Sequence, residues 1–187
     1  SINPLSEYAS SKVQAEEYLQ NSDAIIFRLG TLFGISDEFS RIRLDLVVNI
    51  LVTKALTEGK LTVFGGEQWR PLLHVNDVAN AINHTLEDGV TGIFNLHYKN
   101  FKIIDIANEI IQQVPSAIIE TTPMKFQDAR NYQVSSEKLF NSTGFKAEVD
   151  LLTGIQEVFE LISNKRIKDV NHIRYSNQNY LKKYGIE

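Results

Sequence analysis

The sequence predicts an α/β fold. Three observations carry that reading. Apolar runs of strand length alternate with helix-patterned segments, glycines close most of these segments, and 43% of the 187 residues are hydrophobic. That is enough for one sizeable core with a satellite lobe. The elements follow in order. Ser6–Asn21 is predicted as a helix capped by Ser6. Ala24–Leu29 is a nearly continuous apolar run, expected as a strand buried on both faces. Gly30–Glu38 reads as a loop with two glycines, Arg41–Leu56 as a helix closed by Glu58-Gly59, and Leu61–Phe64 as a short strand ending at Gly65-Gly66. Val75–Asp88 is a helix with Gly89 past its end, Gly92–Leu96 a strand, and Ile103–Gln113 a helix stopped by Pro115. Ala117–Thr121 and, briefly, Tyr132–Val134 read as strands, and Ser136–Thr143 as a short helix before Gly144. Asp150 caps a helix that runs to Asn164, and the polar tail from Lys165 shows no strong periodicity.

Composition narrows the function classes. The net charge is −4 with no basic block, so neither nucleic acid nor an anionic membrane is expected as a partner. No apolar run is long enough to span a bilayer, and no signal peptide is visible. The chain has no cysteine, which fits a reducing compartment; a cytoplasmic protein is expected. His74, His84, His97 and His172 are scattered without paired acidic ligands, so no metal site is expected. Glu16-Glu17, Asp37-Glu38 and Glu87-Asp88 read as solvated charges. The chain starts with Ser inside a turn that enters a helix, so a fragment or excised domain is expected.

The most chemical segment is Tyr8-Ala9-Ser10-Ser11-Lys12. On a helix, residues i and i+4 share a face, so the phenol and the ammonium come within reach of each other. A nearby cation favours the phenolate, which suits a proton donor or acceptor for a carbonyl/alcohol conversion. Spacing alone favours an ordinary helix surface pair. A second copy, Tyr98 and Lys102, follows a strand pattern and should not share a helical face. No G-x-G-x-x-G turn occurs in the chain, and neither Gly30/Gly34 nor Gly65-Gly66 has the spacing and following helix to replace it.

Five segments in fixed order carry a resemblance: Tyr8–Lys12 with Glu16; Phe27-Arg28-Leu29-Gly30-Thr31-Leu32-Phe33-Gly34; Leu61–Gly65; Trp69–Ala79; and the series Asp128, Ser136, Lys138, Gly144-Phe145, Leu151–Ile155. Over about residues 4–162 the chain resembles the C-terminal part of an extended short-chain dehydrogenase/reductase of the NAD-dependent epimerase/dehydratase type, the nucleotide-sugar enzymes. The resemblance implies the later part of a Rossmann-like doubly wound parallel sheet plus a small α/β substrate-binding lobe, with the glycine-rich N-terminal half absent. Residues 1–35 would end the dinucleotide-binding domain, with 75–100 returning to it; 36–74 and 101–164 would form the substrate lobe, and 165–187 the polar tail.

The resemblance also assigns roles. Tyr8 would be the acid/base at a sugar carbon, and Lys12 would favour its phenolate and bind the nicotinamide ribose of NAD or NADP. Leu29 and Gly30 would give backbone contacts beneath the nicotinamide. Thr31, where relatives often carry Asn, would face the nucleotide-diphosphate sugar; a loop hydroxyl capping a neighbouring backbone group is the other reading. Asp45 and Leu46 would face the substrate, with Asn49 one turn on or turned to solvent. Thr62 and Phe64 would hold the base, although Phe64 also reads as plain core. Arg70 would grip the diphosphate with its planar fork of donors, and Lys125 would be a second basic contact. Gly34 is a contact or a turn glycine, and His74 reads as a structural hydrogen-bond partner. The implied function is an NAD(P)-dependent nucleotide-sugar epimerase or reductase, inactive as this fragment alone. The alternatives are an NDP-sugar 4,6-dehydratase and a non-catalytic nucleotide-sugar-binding relative. A homodimer through the Tyr8 helix is implied as well.

Overall fold

The computed structural model describes residues 4, 6–37, 39–86, 89–123 and 130–185. Seven strands pair mainly in parallel and seven helices pack around them among the described residues, a mixed α/β architecture. Helix α1 (Glu7–Leu19) starts where Ser6 accepts the Ala9 N–H at 3.1 Å, as its sequence predicts. It leads into β1 (Ile25–Leu29), which pairs in parallel with β5 (Gly92–Leu96). β1 is not buried on both faces: its burial falls from intermediate to exposed, and Leu29 is 42% exposed. The reason is local. None of the residues of α1 is buried, so the helix covers the strand only partly.

The expected loop after β1 contains a strand, β2 (Thr31–Phe33). Gly30 is the pivot. Its N–H still bonds the Leu96 carbonyl of β5 at 2.8 Å, and one residue later the chain pairs with β4 (Trp69–His74) instead. A Cβ at Gly30 would lie 2.9 Å from the Pro71 carbonyl oxygen and 3.3 Å from His97 Cβ, so a side chain there would force the two sheets apart. β4 also pairs antiparallel with β6 (Lys99–Lys102). Neither β4 nor β6 stood out in the sequence, because Pro71 interrupts one run and lysines bracket the other.

Helix α2 begins at Val47 and runs to Glu58, six residues later than expected. Residues 41–46 are extended because the tail claims them. Leu44 donates its N–H to the Tyr175 carbonyl at 2.9 Å, Arg41 donates to the Arg174 carbonyl at 3.1 Å, and the Arg41 guanidinium lies 5.1 Å over the Tyr180 ring. The tail is therefore folded, with a 3-10 turn at Ile173–Tyr175 and helix α7 (Asn177–Tyr184). Beyond α2, β3 (Lys60–Phe64) pairs in parallel with β7 (Ile118–Thr122). Helices α3 (Val75–Leu86), α4 (Ile103–Gln113), α5 (Glu137–Thr143) and α6 (Leu151–Ser163) lie close to their predicted spans. Asp150 caps α6 by accepting the Thr153 N–H at 2.8 Å. No strand forms at 132–134; there the Asn100 side chain supplies the backbone bonds that a neighbouring strand would give.

The larger core sits between α2, α4, α6 and β3, with Val48, Val52, Leu61, Ile106, Ile110 and Ile155 at 0% exposure or nearly so. Each such side chain stabilises the fold by about 1.5–3 kcal/mol. A second cluster, built on Leu73, Ala81, Phe94, Leu96 and Leu139, underlies the β1–β5 side. No helix among the described residues is long and apolar enough to cross a membrane.

Candidate active site

Tyr8 and Lys12 stand one turn apart on α1, and the Lys12 ammonium lies 5.5 Å from the Tyr8 ring centroid, over its face. Tyr8 is 73% exposed. Both side chains line an open cleft of about 720 Å³ between α1 and β1, together with Phe27, Leu29 and Tyr132. Two turns beyond Tyr8 on the same face, Glu16 is held by Arg28 of β1, whose Nε donates at 2.7 Å to one carboxylate oxygen while Nη2 donates to the other. This bidentate pair pins the helix over the strand and keeps the Glu16 carboxyl below its ordinary value. Glu16 is thus an anchoring charge rather than the solvated one expected, because Arg28 of β1 lies against it. The second copy of the spacing does no such work. Tyr98 stacks on Phe101, and Lys102 sits on β6 paired with Glu67 at 2.7 Å.

Leu29 and Gly30 lie at the C-terminal end of β1, the end of a parallel strand where such folds receive ligands. Leu29 faces the cleft, while Gly30 is buried at the sheet pivot. Thr31, half-buried, opens β2 opposite Leu72. The donor set suits the nicotinamide–ribose end of NAD: a phenol and an ammonium on an open face, flanked by the apolar sides of Phe27 and Leu29. A pyrophosphate-binding glycine turn is not among the 187 residues.

Asp45 does different work from that expected. Its carboxylate accepts from Arg43 at 3.0 and 3.2 Å and from the Asn177 N–H at 2.7 Å, so it caps the tail helix. Burial pushes this carboxyl up, and the Arg43 and Asn177 hydrogen bonds outweigh it, leaving it below its ordinary value. Leu46 is the N-cap residue of α2 and is half-buried. Asn49 does not face solvent; it is fully buried. Its Oδ1 accepts the Gly34 N–H at 3.1 Å, and its Nδ2 donates to the Gly34 carbonyl at 3.0 Å and the Arg43 carbonyl at 2.8 Å.

Behind this bracket lies His74, also fully buried, as the structural partner that the sequence implied. Its Nδ1 accepts the Asn76 N–H at 3.2 Å, so the ring proton sits on Nε2 and is donated to Glu157 Oε2 at 2.9 Å. Glu157 also accepts the Ile35 N–H at 2.8 Å; burial raises its carboxyl, and these two bonds bring it below the ordinary value. Gly34 is a structural glycine. Its φ is +84° and a Cβ there would fall 1.9 Å from His74 Nε2.

Thr62 is half-buried in β3 opposite Glu120, and Phe64, at the strand end, is 41% exposed rather than core. The Phe64 carbonyl accepts from Gln68 Nε2 at 2.6 Å, which closes the Gly65-Gly66 turn. Arg70 is only 3% exposed; its Nη1 donates to the Trp69 carbonyl at 2.8 Å and to the Arg130 carbonyl. Arg130 belongs to the same segment as Tyr132, which lines the Tyr8 cleft, so residues 130–132 join Arg70 to that cleft. Tyr132 was read only as part of a strand; nothing in its spacing pointed to the cleft. Lys125 and Asp128 lie outside the described residues. No group of three or more metal-ligating side chains occurs among the described residues.

Comparison with known proteins supplies the family. The sequence profile of the NAD dependent epimerase/dehydratase family matches residues 1–97, just over half of the 187. The chain is 28% identical over 181 residues to the "Putative UDP-glucose 4-epimerase" of Methanocaldococcus jannaschii, covering 87% of this chain and 55% of that protein. Among solved structures it is similar to TunA, an NAD dependent-NDP-hexosamine 5,6-dehydratase involved in tunicamycin biosynthesis (TM-score 0.75, 20% identity, 89% of this chain and 57% of that one). It is also similar to a mutant UDP-glucuronic acid 4-epimerase from Bacillus cereus in complex with UDP-4-deoxy-4-fluoro-glucuronic acid and NAD (TM-score 0.73, 21% identity, 87% and 54% covered). The chain spans about half the length of the relatives it matches. The structural likeness establishes a Rossmann-like α/β fold, and the profile match over residues 1–97 establishes that this chain belongs to the NAD dependent epimerase/dehydratase family.

Proposed function

We propose that this chain carries the acid/base and substrate-binding residues of an NAD(P)-dependent nucleotide-sugar epimerase or reductase. The observation that carries the reading is the shared cleft of Tyr8, Lys12 and Leu29 at the C-terminal end of β1. Tyr8 takes the hydroxyl proton as the sugar carbon is oxidised and returns a proton when it is reduced. Lys12 would bind the nicotinamide ribose and orient the phenol, and Leu29 and Gly30 would offer the nicotinamide backbone contacts. NAD, when bound, supplies the two-electron acceptor and donor. Arg70 holds the diphosphate, Thr31 approaches the sugar, and Thr62 and the exposed ring of Phe64 receive the base. Asp45 leaves this set, because its carboxylate is committed to Arg43 and Asn177.

The domain division keeps its proposed form, with 1–35 and 75–100 on the cofactor side and 36–74 with 101–164 on the substrate side. A homodimer through α1 is supported by a 13-residue helix with none of its residues buried. The cytoplasm is the proposed compartment, on the absence of cysteine. With no glycine-rich turn among its residues, the chain alone is proposed to be inactive.

Tyr8→Phe in the full-length protein tests the core of the reading. Turnover should fall by about 10²–10⁴-fold with nucleotide-sugar affinity retained, and retained turnover would sink the assignment. A dehydratase is the second reading, favoured by the similarity to TunA. Mass analysis separates the readings, since an epimerised product keeps the substrate's mass, a reduced one gains two hydrogens and a dehydrated one lacks a water.

A further inference from the structure

Residues 130–136 have no regular structure, yet they are laced to β4, β5 and β6 by side chains. The Trp69 N–H donates to Asn131 Oδ1 at 3.0 Å, and Asn95 Nδ2 donates to the Ser135 carbonyl at 3.2 Å. Asn100 clamps Val134 from both sides: Oδ1 accepts the Val134 N–H at 3.1 Å and Nδ2 donates to the Val134 carbonyl at 3.0 Å. These two bonds fix which end of the amide is nitrogen. The same Nδ2 lies 3.3 Å from His97 Nε2, so that nitrogen accepts and carries no proton. The ring proton therefore sits on Nδ1 and is donated to Ser136 Oγ at 2.6 Å, while the His97 backbone N–H bonds the same oxygen at 3.0 Å. A neutral His97 in one tautomer closes the clasp at its C-terminal end. At the other end, the Arg130 carbonyl accepts from the buried Arg70 guanidinium.

We infer that His97 is a positioning residue for diphosphate binding: it locks residues 130–136 in place, and they in turn hold Arg70 and set Tyr132 at the Tyr8 cleft. The inference rests on the proposed role of Arg70. A proton on Nε2 would face the Asn100 amide donor, so protonating the ring breaks one bond of the clasp. Burial already holds the ring's affinity for a second proton below its ordinary value. Around the ring, Glu137 of α5, Lys146 of the following loop and Tyr98 of the β5–β6 turn line the same small cleft, and uncharged Gly30 approaches from the β1–β2 pivot.

The test uses the NAD-loaded full-length protein and calorimetric titration with UDP-glucose, dTDP-glucose, GDP-mannose and ADP-glucose, the tightest binder serving as probe. His97→Ala should weaken binding about tenfold and speed amide exchange over residues 131–136, while His97→Gln, which keeps a donor and an acceptor, should restore affinity to within about threefold. Because the ring's proton affinity lies below its ordinary value, lowering the pH from about 7.5 to about 5.0 should weaken binding to the native protein more than to His97→Gln. The sugar diphosphates do not titrate in that interval. Unchanged affinity in His97→Ala, or equal pH responses of the native protein and His97→Gln, would overturn the positioning role. If His97→Ala does not fold, the pH comparison with His97→Gln decides alone. Arg70→Ala separates the two layers. If it leaves binding intact, or if none of the four probes binds, the diphosphate reading falls and the inference with it; if it weakens binding while His97→Ala does not, only the positioning role falls.

Discussion

Asn49 offers the sharpest test of how the segment ahead of α2 is held. It is fully buried and makes three hydrogen bonds to backbone groups, the buried Gly34 N–H and carbonyl and the part-buried Arg43 carbonyl. Asn49→Ala strands all three. A buried polar group left without its partner costs about 1–3 kcal/mol. Relaxation and shared partners make the three less than additive, so a loss of about 3–5 kcal/mol is expected. That is a large share of the roughly 5–15 kcal/mol that holds a typical domain together. Asn49→Asp sharpens the test, because it keeps the shape and the acceptor for Gly34 but turns the donor into a carboxylate oxygen facing two carbonyls. The charged form is disfavoured in the folded state, so the folded carboxyl titrates above its unfolded value. The variant's stability relative to the native protein is then greatest at low pH and is lost as pH rises through the folded value. Urea unfolding monitored by circular dichroism at about pH 5 and about pH 8 reads both effects. A loss below about 1 kcal/mol for Asn49→Ala, or an Asn49→Asp variant relatively more stable at the higher pH, would refute the reasoning.

Two other outcomes follow from the same region. Gly34→Ala places a methyl against the buried His74 ring in a backbone with φ +84°, which should cost about 2–5 kcal/mol and lower Tm by roughly 5–15 °C, while Gly59→Ala, with nothing within 4 Å of its Cβ, loses only the smaller backbone contribution. A calorimetric scan that gave both variants equal shifts would contradict the packing. Glu157, Asp45 and Asp150 all lie below their ordinary values of 4.5, 3.8 and 3.8, so the unfolded chain binds more protons in acid than the folded one. Their contribution is complete above the unfolded values and is lost as pH falls through the folded ones; acid titration of stability should steepen below about pH 4.5, and Glu157→Gln should flatten that fall.

Much of this molecule is legible in its sequence because the signals are local. Ser6 and Asp150 announce their helices by capping, and Gly59 and Gly144 close theirs in left-handed conformation. Tyr8 and Lys12 are legible for the same reason, since helical spacing alone puts them on one face. What the sequence concealed depends on partners far along the chain. Residues 41–46 have a helical pattern, and only contacts with residues 174–177 draw them out straight. Asn49 reads as a surface residue until Gly34 is brought to it. β4 hides behind Pro71, and its identity as a strand comes from β2 and β6 on its two sides. Arg70 reads as a surface arginine or a diphosphate contact, and its burial with Nη1 on the Trp69 and Arg130 carbonyls emerges only in the fold.

The junction between residues 41–46 and the tail has a consequence for how the protein assembles. The bonds from Arg41 and Asp45 to Arg174 and Asn177 span 132 to 136 positions of sequence. Closing so long a loop is entropically costly and late, whereas α2 can form locally as soon as its own residues exist. On this reasoning the start of α2 is expected to be set late, once the tail has arrived to hold residues 41–46 extended. A chain cut directly after α6 would keep its larger core and its Tyr8 cleft, strip Ile167 from beside Leu44 and Leu161, and lose the contacts that tell this helix where to begin.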